Sequence, residues 1–229
     1  MAEVTSVTVL LDESGSMQPH VEQTILGLNQ YINSLRESDS DFRVSVFKFS
    51  GNGNGNFSVT TSNNIYSKDS KSESTFKLGK VFENKTLNKV PTVTVKDYNP
   101  CGGTPLLDAV WEAIKRAEKN AGDNNLVVIF TDGEENASSL MSGAVLKDII
   151  AHKESLGWTF VYLGANQDAW QVANSFGIQT KNAMTYNVSH IGTTMDAVGF
   201  ATRSYAAAPA AASAQGFFAA AGQTKEDYN

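Results

Sequence analysis

The apolar residues of this chain fall into a few short continuous runs, separated by longer stretches in which they recur at helical spacing. VTSVTVLL (4–11), LVVIF (126–130) and WTFVYL (158–163) are β-branched or aromatic runs that end in polar turns, the pattern of strands buried on both faces in a parallel sheet. FRVSVFKFS (42–50) alternates and predicts another strand. FKLGKVFENKTL (76–87) and PTVTV (91–95) predict modest edge strands, and NAMTYNV a last one. Val21, Ile25, Leu28, Ile32 and Leu35 predict an amphipathic helix over 19–37. In CGGTPLLDAVWEAIKRAEK (101–119) a glycine turn feeds a helix with Thr104 at the N-cap, Pro105 at the first helical position and an apolar stripe of Leu107, Val110, Ile114 and Ala117. Further helices are predicted over about 143–155, from Asp168 to Phe176 with Gly177 closing it, and over 189–206.

This alternation of strands and helices predicts an α/β fold, a doubly wound and mostly parallel central sheet with helices on both faces. One domain is expected over 1–206, with a basic low-complexity insert at about 51–96 and an Ala-rich, partly disordered tail at 207–229. The insert opens on GNGNGN, and 51–75 reads as a loop or an exposed hairpin tip. Over 51–96 there are seven Lys and three acidic residues, a net of +4, which leaves the remainder of the chain at −10. Lysines of this kind protect a sheet edge from pairing, or form a surface for a partner. In the tail, Pro209, Gly216 and Gly222 interrupt the helix-favouring alanines, while Phe217 and Phe218 are candidates to anchor it to a neighbour.

Composition narrows the function. A net charge of −6 lacks the basic excess of a nucleic-acid binder. The single cysteine, Cys101, excludes an intrachain disulfide and fits a reducing compartment. The N-terminal segment has an acidic residue where a signal peptide needs a basic one, and its apolar run is too short for a membrane span, so cytoplasmic residence is expected.

Three polar turns follow predicted strands or precede helices: DESGSM (12–17), CGGTPL (101–106) and TDGEEN (131–136). In an open parallel sheet such turns line the edge at the strands' C-terminal ends, where ligands bind. Asp12, Ser14 and Ser16 alternate along an extended turn and can face one way, with Gly15 letting the chain bend; Glu13 alternates away. Thr104 adds a hydroxyl and Asp132 a second carboxylate. This all-oxygen set suits a hard cation, and its hydroxyls favour Mg²⁺ over Ca²⁺, with Mn²⁺ an alternative. Glu134 and Glu135 lie nearby, as negative potential or as solvated surface. His20, His152 and His190 are scattered and share no spacing with these acids. Trp111, Trp158 and Trp170 sit on apolar patterns and are expected in the core. Asn166 and Asp168 follow a strand end, as support for the metal edge or, for Asp168, as a helix cap.

Asp12-x-Ser14-x-Ser16, Thr104 after a glycine pair and Asp132 in a TDG turn together resemble the metal-ion-dependent adhesion site of von Willebrand factor type A domains, over roughly residues 4–180. GWTFVYLGANQDAWQVANSFGI is similar to a bacterial and bacteriophage intracellular subgroup of that family. The resemblance implies that Ser14, Ser16 and Thr104 contact the metal, that Asp12 and Asp132 act directly or through water, and that a partner protein supplies a Glu or Asp to an open coordination position. It implies a binding module, not an enzyme. An aspartyl phosphotransferase also begins with an Asp-led turn, but it needs a carboxylate where Ser14 stands. The alternative is a structural component of a larger assembly, a virion or a complex with an AAA+ ATPase, acting through the tail and the basic insert.

Overall fold

A computed structural model describes residues 3–51, 76–165, 168–209 and 216–219. Six strands form one sheet in the order β3-β2-β1-β4-β5-β6. These are β1 (Val4–Asp12), β2 (Asp41–Gly51), β3 (Phe76–Thr86), β4 (Asn124–Thr131), β5 (Trp158–Ala165) and β6 (Ala183–Tyr186). Every neighbouring pair is parallel except β2 with β3, which run antiparallel. The helices are α1 (Val21–Leu35), α2 (Leu106–Lys119), α3 (Gly143–Ser155), α4 (Ala169–Ser175) and α5 (Ile191–Ala207).

The central strands are apolar on both faces because each face has its own helical layer. Val7, Val9 and Leu11 of β1 pack with Ile25 and Leu28 of α1 and Val198 of α5. Leu10, Val127 and Ile129 pack on the opposite side with Val110 of α2, Ile150 of α3 and Ala173 of α4. Period-2 alternation therefore persists within the continuous apolar runs, with one hydrophobic set feeding each core. The strand order places the C-terminal ends of β1 and β4 side by side, so the turns after Asp12 and Thr131 are neighbours.

Four expectations need correction. PTVTV is not a strand: Val93 is buried and exchanges both backbone hydrogen bonds with the Asn29 side-chain amide of α1, at 2.8 and 3.0 Å, leaving no backbone group there to pair with a sheet. The helix expected from 19 begins at Val21, after a 3₁₀ turn over Gly15–His20 that contains Pro19. Pro105, not Thr104, flanks α2; its carbonyl accepts the helix's first hydrogen bond, from Ala109, and Thr104 makes no capping bond. Phe217 and Phe218 anchor the tail to this chain itself: Phe217 is buried against Tyr205, and its N–H donates to Asn182 Oδ1 at 2.8 Å. Residues 52–75, 210–215 and 220–229, which hold most of the loop and tail expectations, lie outside the described residues.

Among the tryptophans, Trp158 is buried whereas Trp111 and Trp170 are half-buried at the margin of the α2–α4 core. Asp168 caps α4, accepting from the Gln171 N–H at 3.1 Å, and Asn166 lies outside the described residues. Among the described residues, no helix is long and apolar enough to cross a membrane.

Candidate metal centre

Asp12 is the last residue of β1 and fully buried. One carboxylate oxygen accepts the Ser14 N–H at 2.7 Å, closing the turn; the other accepts the Thr131 hydroxyl at 2.5 Å, tying β1's end to β4's. Burial pushes the Asp12 carboxyl up to about 6, against the opposing pull of the Thr131 and Ser14 hydrogen bonds; Asp132 adds a smaller push in the same direction.

The alternation expected along the turn is present. Ser14 Oγ lies 3.1 Å from Ser16 Oγ, and the Ser16 hydroxyl donates to Asp132 Oδ1 at 2.7 Å, so oxygens from the β1 and β4 turns meet directly. Ser14 is buried, Ser16 is exposed and Asp132 is half-buried, so the cluster opens to solvent on one side. Thr104 reaches the same place from the third segment: a Cβ built on Gly133 would lie 2.7 Å from Thr104 Oγ1 and 3.5 Å from Asp12 Oδ2. Only glycine leaves that space open.

The glycine pair brings Thr104 in. Gly102 has φ +77°, and a Cβ there would fall 1.6 Å from the Gly51 carbonyl oxygen. Its own carbonyl accepts the Gly15 N–H at 2.9 Å, and the Gly103 carbonyl accepts the Gly51 N–H at 2.7 Å. Thr104 then exchanges backbone and side-chain bonds with Asn136, whose Oδ1 accepts the Thr104 N–H at 2.8 Å while its own N–H donates to the Thr104 carbonyl at 3.2 Å.

Several residues that position the site were not given that role from sequence. Glu135, read as solvated or electrostatic, accepts the Leu107 N–H at 2.9 Å at the start of α2 and also the N–H groups of Ala137 and Ser138. Asp108 of α2, buried, returns the exchange by accepting the N–H groups of Ser139, Leu140 and Met141. The Tyr98 hydroxyl donates to the Asp12 carbonyl, and Tyr186, stacked on Phe130 at 4.7 Å, donates to the Thr131 carbonyl at 3.4 Å. Glu13 does alternate away from the oxygens, but into the interior, where Lys48 pairs with it at 2.7 Å. No spacing rule connects these residues. The nearest sequence signal was the acidic pair after TDG, which suits a helix N-terminus; that helix is the neighbouring α2.

Asp12, Ser14, Ser16, Thr104 and Asp132 fit a small hard cation by donor type. For Ser14, Ser16 and Asp132 the spacing is also compatible, because adjacent oxygens around an octahedral ion with bonds of 2.0–2.1 Å are separated by about 2.9 Å, and the separations are 3.1 Å for Ser14–Ser16 and 2.7 Å for Ser16–Asp132. Among the described residues no group of three or more His, Cys, Asp or Glu could hold a metal, so the set depends on its hydroxyls.

Residues 6–199 match the family model described as the von Willebrand factor type A domain. No curated protein matches the chain. Among solved structures, the vWF domain of the type V pili tip protein Mfa5 from Porphyromonas gingivalis is similar, with a TM-score of 0.58 at 8% identity over 87% of this chain and 95% of that one. The pilus adhesin SpaC from Lactobacillus rhamnosus GG, in its open conformation, gives 0.62 at 12% over 89% and 30%. Proximal thread matrix protein 1 from the mussel byssus, solved with a zinc-occupied MIDAS motif, gives 0.54 at 16% over 85% and 46%. At these identities the likeness shows the fold, and the chain spans about half the length of the mussel protein.

Proposed function

This chain belongs to the von Willebrand factor type A domain family, whose members are metal-dependent protein-interaction modules, and we propose that it binds a partner protein through a divalent cation at the Asp12 edge of its sheet. Ser14, Ser16 and Thr104 would be the direct ligands, and Asp12 and Asp132 would act directly or through water. Mg²⁺ suits this set best, with Mn²⁺ and Ca²⁺ as alternatives. A cation held there would supply an electrophilic position for a Glu or Asp oxygen of the partner. The carrying observation is the contact of Ser14, Ser16 and Asp132 oxygens across two turns.

The roles of the protein's own groups follow from this arrangement. Two carboxylates formally balance a divalent ion, and because the other donors are neutral hydroxyls the ion would keep the capacity to accept a further carboxylate. Thr131 and the Ser14 N–H fix the Asp12 oxygens, and Asn136 fixes Thr104. Ser14 bonds to Ser16, and Ser16 to Asp132, so the cluster is an all-oxygen donor set of the kind that suits a hard cation, which supports a binding role over an enzymatic one. The single cysteine supports a reducing, cytoplasmic setting, and the 157–178 resemblance supports a place in the bacterial and bacteriophage subgroup. Burial of Phe217 and Phe218 within the chain favours the metal edge over a tail-mediated structural role.

Capture of partners from native extract tests the proposal. Retention that is lost both on chelation and in Thr104→Ala supports it; retention indifferent to both contradicts it.

A further inference from the structure

Glu13 stands between two candidate ligands, Asp12 and Ser14, yet its side chain is fully buried on the far side of the turn. A carboxylate is costly to bury, and a buried ion pair is weak evidence for stability, since apolar residues of the same volume serve as well or better. What such a pair does impose is geometry. Glu13 Oε1 accepts both Lys48 Nζ and the Asn99 N–H, each at 2.7 Å. Lys48 Nζ donates in turn to the Asp97 carbonyl at 2.5 Å. The Glu13 backbone bonds in two directions: its N–H to the Phe49 carbonyl at 2.7 Å, and its carbonyl from the Cys101 N–H at 2.9 Å.

Apart from the bond to Phe49 of β2, these contacts converge on one stretch, residues 97–101, which leads through Gly102 and Gly103 to Thr104. Asp97 is itself held, its carboxylate accepting the Thr94 N–H and hydroxyl at 2.8 and 2.7 Å, which keeps it below the usual carboxylate range. The segment carrying Thr104 is therefore tied to the turn carrying Asp12, Ser14 and Ser16 by a charged clasp that includes none of the five candidate ligands. We propose that the Glu13–Lys48 pair is a positioning device that sets Thr104 against the Asp12–Ser16 turn, so that breaking it weakens divalent-ion binding while every ligand remains. This rests on the metal-centre reading above.

Charge and position make opposite predictions for Lys48, and that separates them. Lys48→Met removes a cation behind an acidic site. If the pair acted through its field alone, Mg²⁺ would bind more tightly; if it positions Thr104, binding weakens. Titration calorimetry of the full chain with Mg²⁺ or Mn²⁺, at a temperature where circular dichroism shows each chelated variant folded, reads the difference. Glu13→Ala and Lys48→Met are expected to weaken binding by about ten- to a hundredfold, the range for residues that orient metal ligands. Glu13→Gln, which keeps an oxygen for the Asn99 N–H, is expected to lose less than Glu13→Ala, and it carries the comparison with Lys48→Met if Glu13→Ala fails to fold. Lys48→Met at wild-type affinity or tighter overturns the inference, as does Glu13→Gln losing as much as Glu13→Ala. Absence of saturable binding by the wild type overturns instead the metal-centre reading on which it stands.

Discussion

The Thr131 hydroxyl donates to Asp12 Oδ2 at 2.5 Å, both groups fully buried, so the last residue of β4 orients the last residue of β1. Thr131 Oγ1 also accepts the Gly133 N–H at 3.1 Å, so this one side chain shapes the turn that carries Asp132 as well. Thr131→Val keeps the shape and removes the donor. The variant should bind Mg²⁺ about ten- to a hundredfold more weakly and lose about 1–3 kcal/mol of stability as the Asp12 oxygen and the Gly133 N–H are left unpaired. Calorimetric titration and urea unfolding in chelator check the two effects separately.

Protons should compete with the metal for Asp12. Its folded-state carboxyl is pushed up to about 6 from an ordinary value of 3.8, so the metal-free fold holds this proton more tightly than the unfolded chain does. A raised carboxyl means that folding takes up a proton between about pH 4 and 6. This group's contribution is thus fully present at low pH and is lost as pH rises through that window, by about 3 kcal/mol. A cation requires the ionised form. The rise in Tm caused by saturating Mg²⁺ should be small at pH 5 and level off above about pH 6.5; a rise of the same size across that range would count against the assignment of Asp12.

Gly133 is the position where a methyl group would intrude on the site. Gly133→Ala places a Cβ 2.7 Å from Thr104 Oγ1, which must move. Mg²⁺ affinity should fall at least tenfold, an expectation from the cost of displacing one ligand by a fraction of an ångström, with the chelated fold retained by circular dichroism.

The tail is held by Phe217 in a pocket of this same chain. Phe217→Ala should cost about 3–5 kcal/mol in denaturant unfolding, the usual range for a buried phenylalanine, while leaving Mg²⁺ affinity within about twofold. A stability loss below 1 kcal/mol would return the tail to the role of an anchor for a neighbour.

The strands β1, β4 and β5 were legible because burial on both faces writes an unbroken apolar run, and their polar ends marked the edge of the sheet. That Asp12, Ser14 and Ser16 face one way was legible by alternation, and that Thr104 and Asp132 lie beside them by the turns that carry them. The positioning roles of Glu13, Lys48, Asp108 and Asn136 were not, because their partners are 30 to 86 residues away and no local period registers such pairing. PTVTV shows the limit of strand propensity: its valines suit a half-buried surface, and Val93 found one under the Asn29 amide without a strand to pair with.

The proposed function requires a divalent ion bound by the oxygens of Asp12, Ser14, Ser16, Thr104 and Asp132. Titration calorimetry of the wild type and of Asp12→Ala with Mg²⁺ and Mn²⁺ tests it most directly. Saturable binding of one ion per chain, abolished by Asp12→Ala, is the result predicted. No binding by the wild type, or binding unchanged in Asp12→Ala, would contradict it.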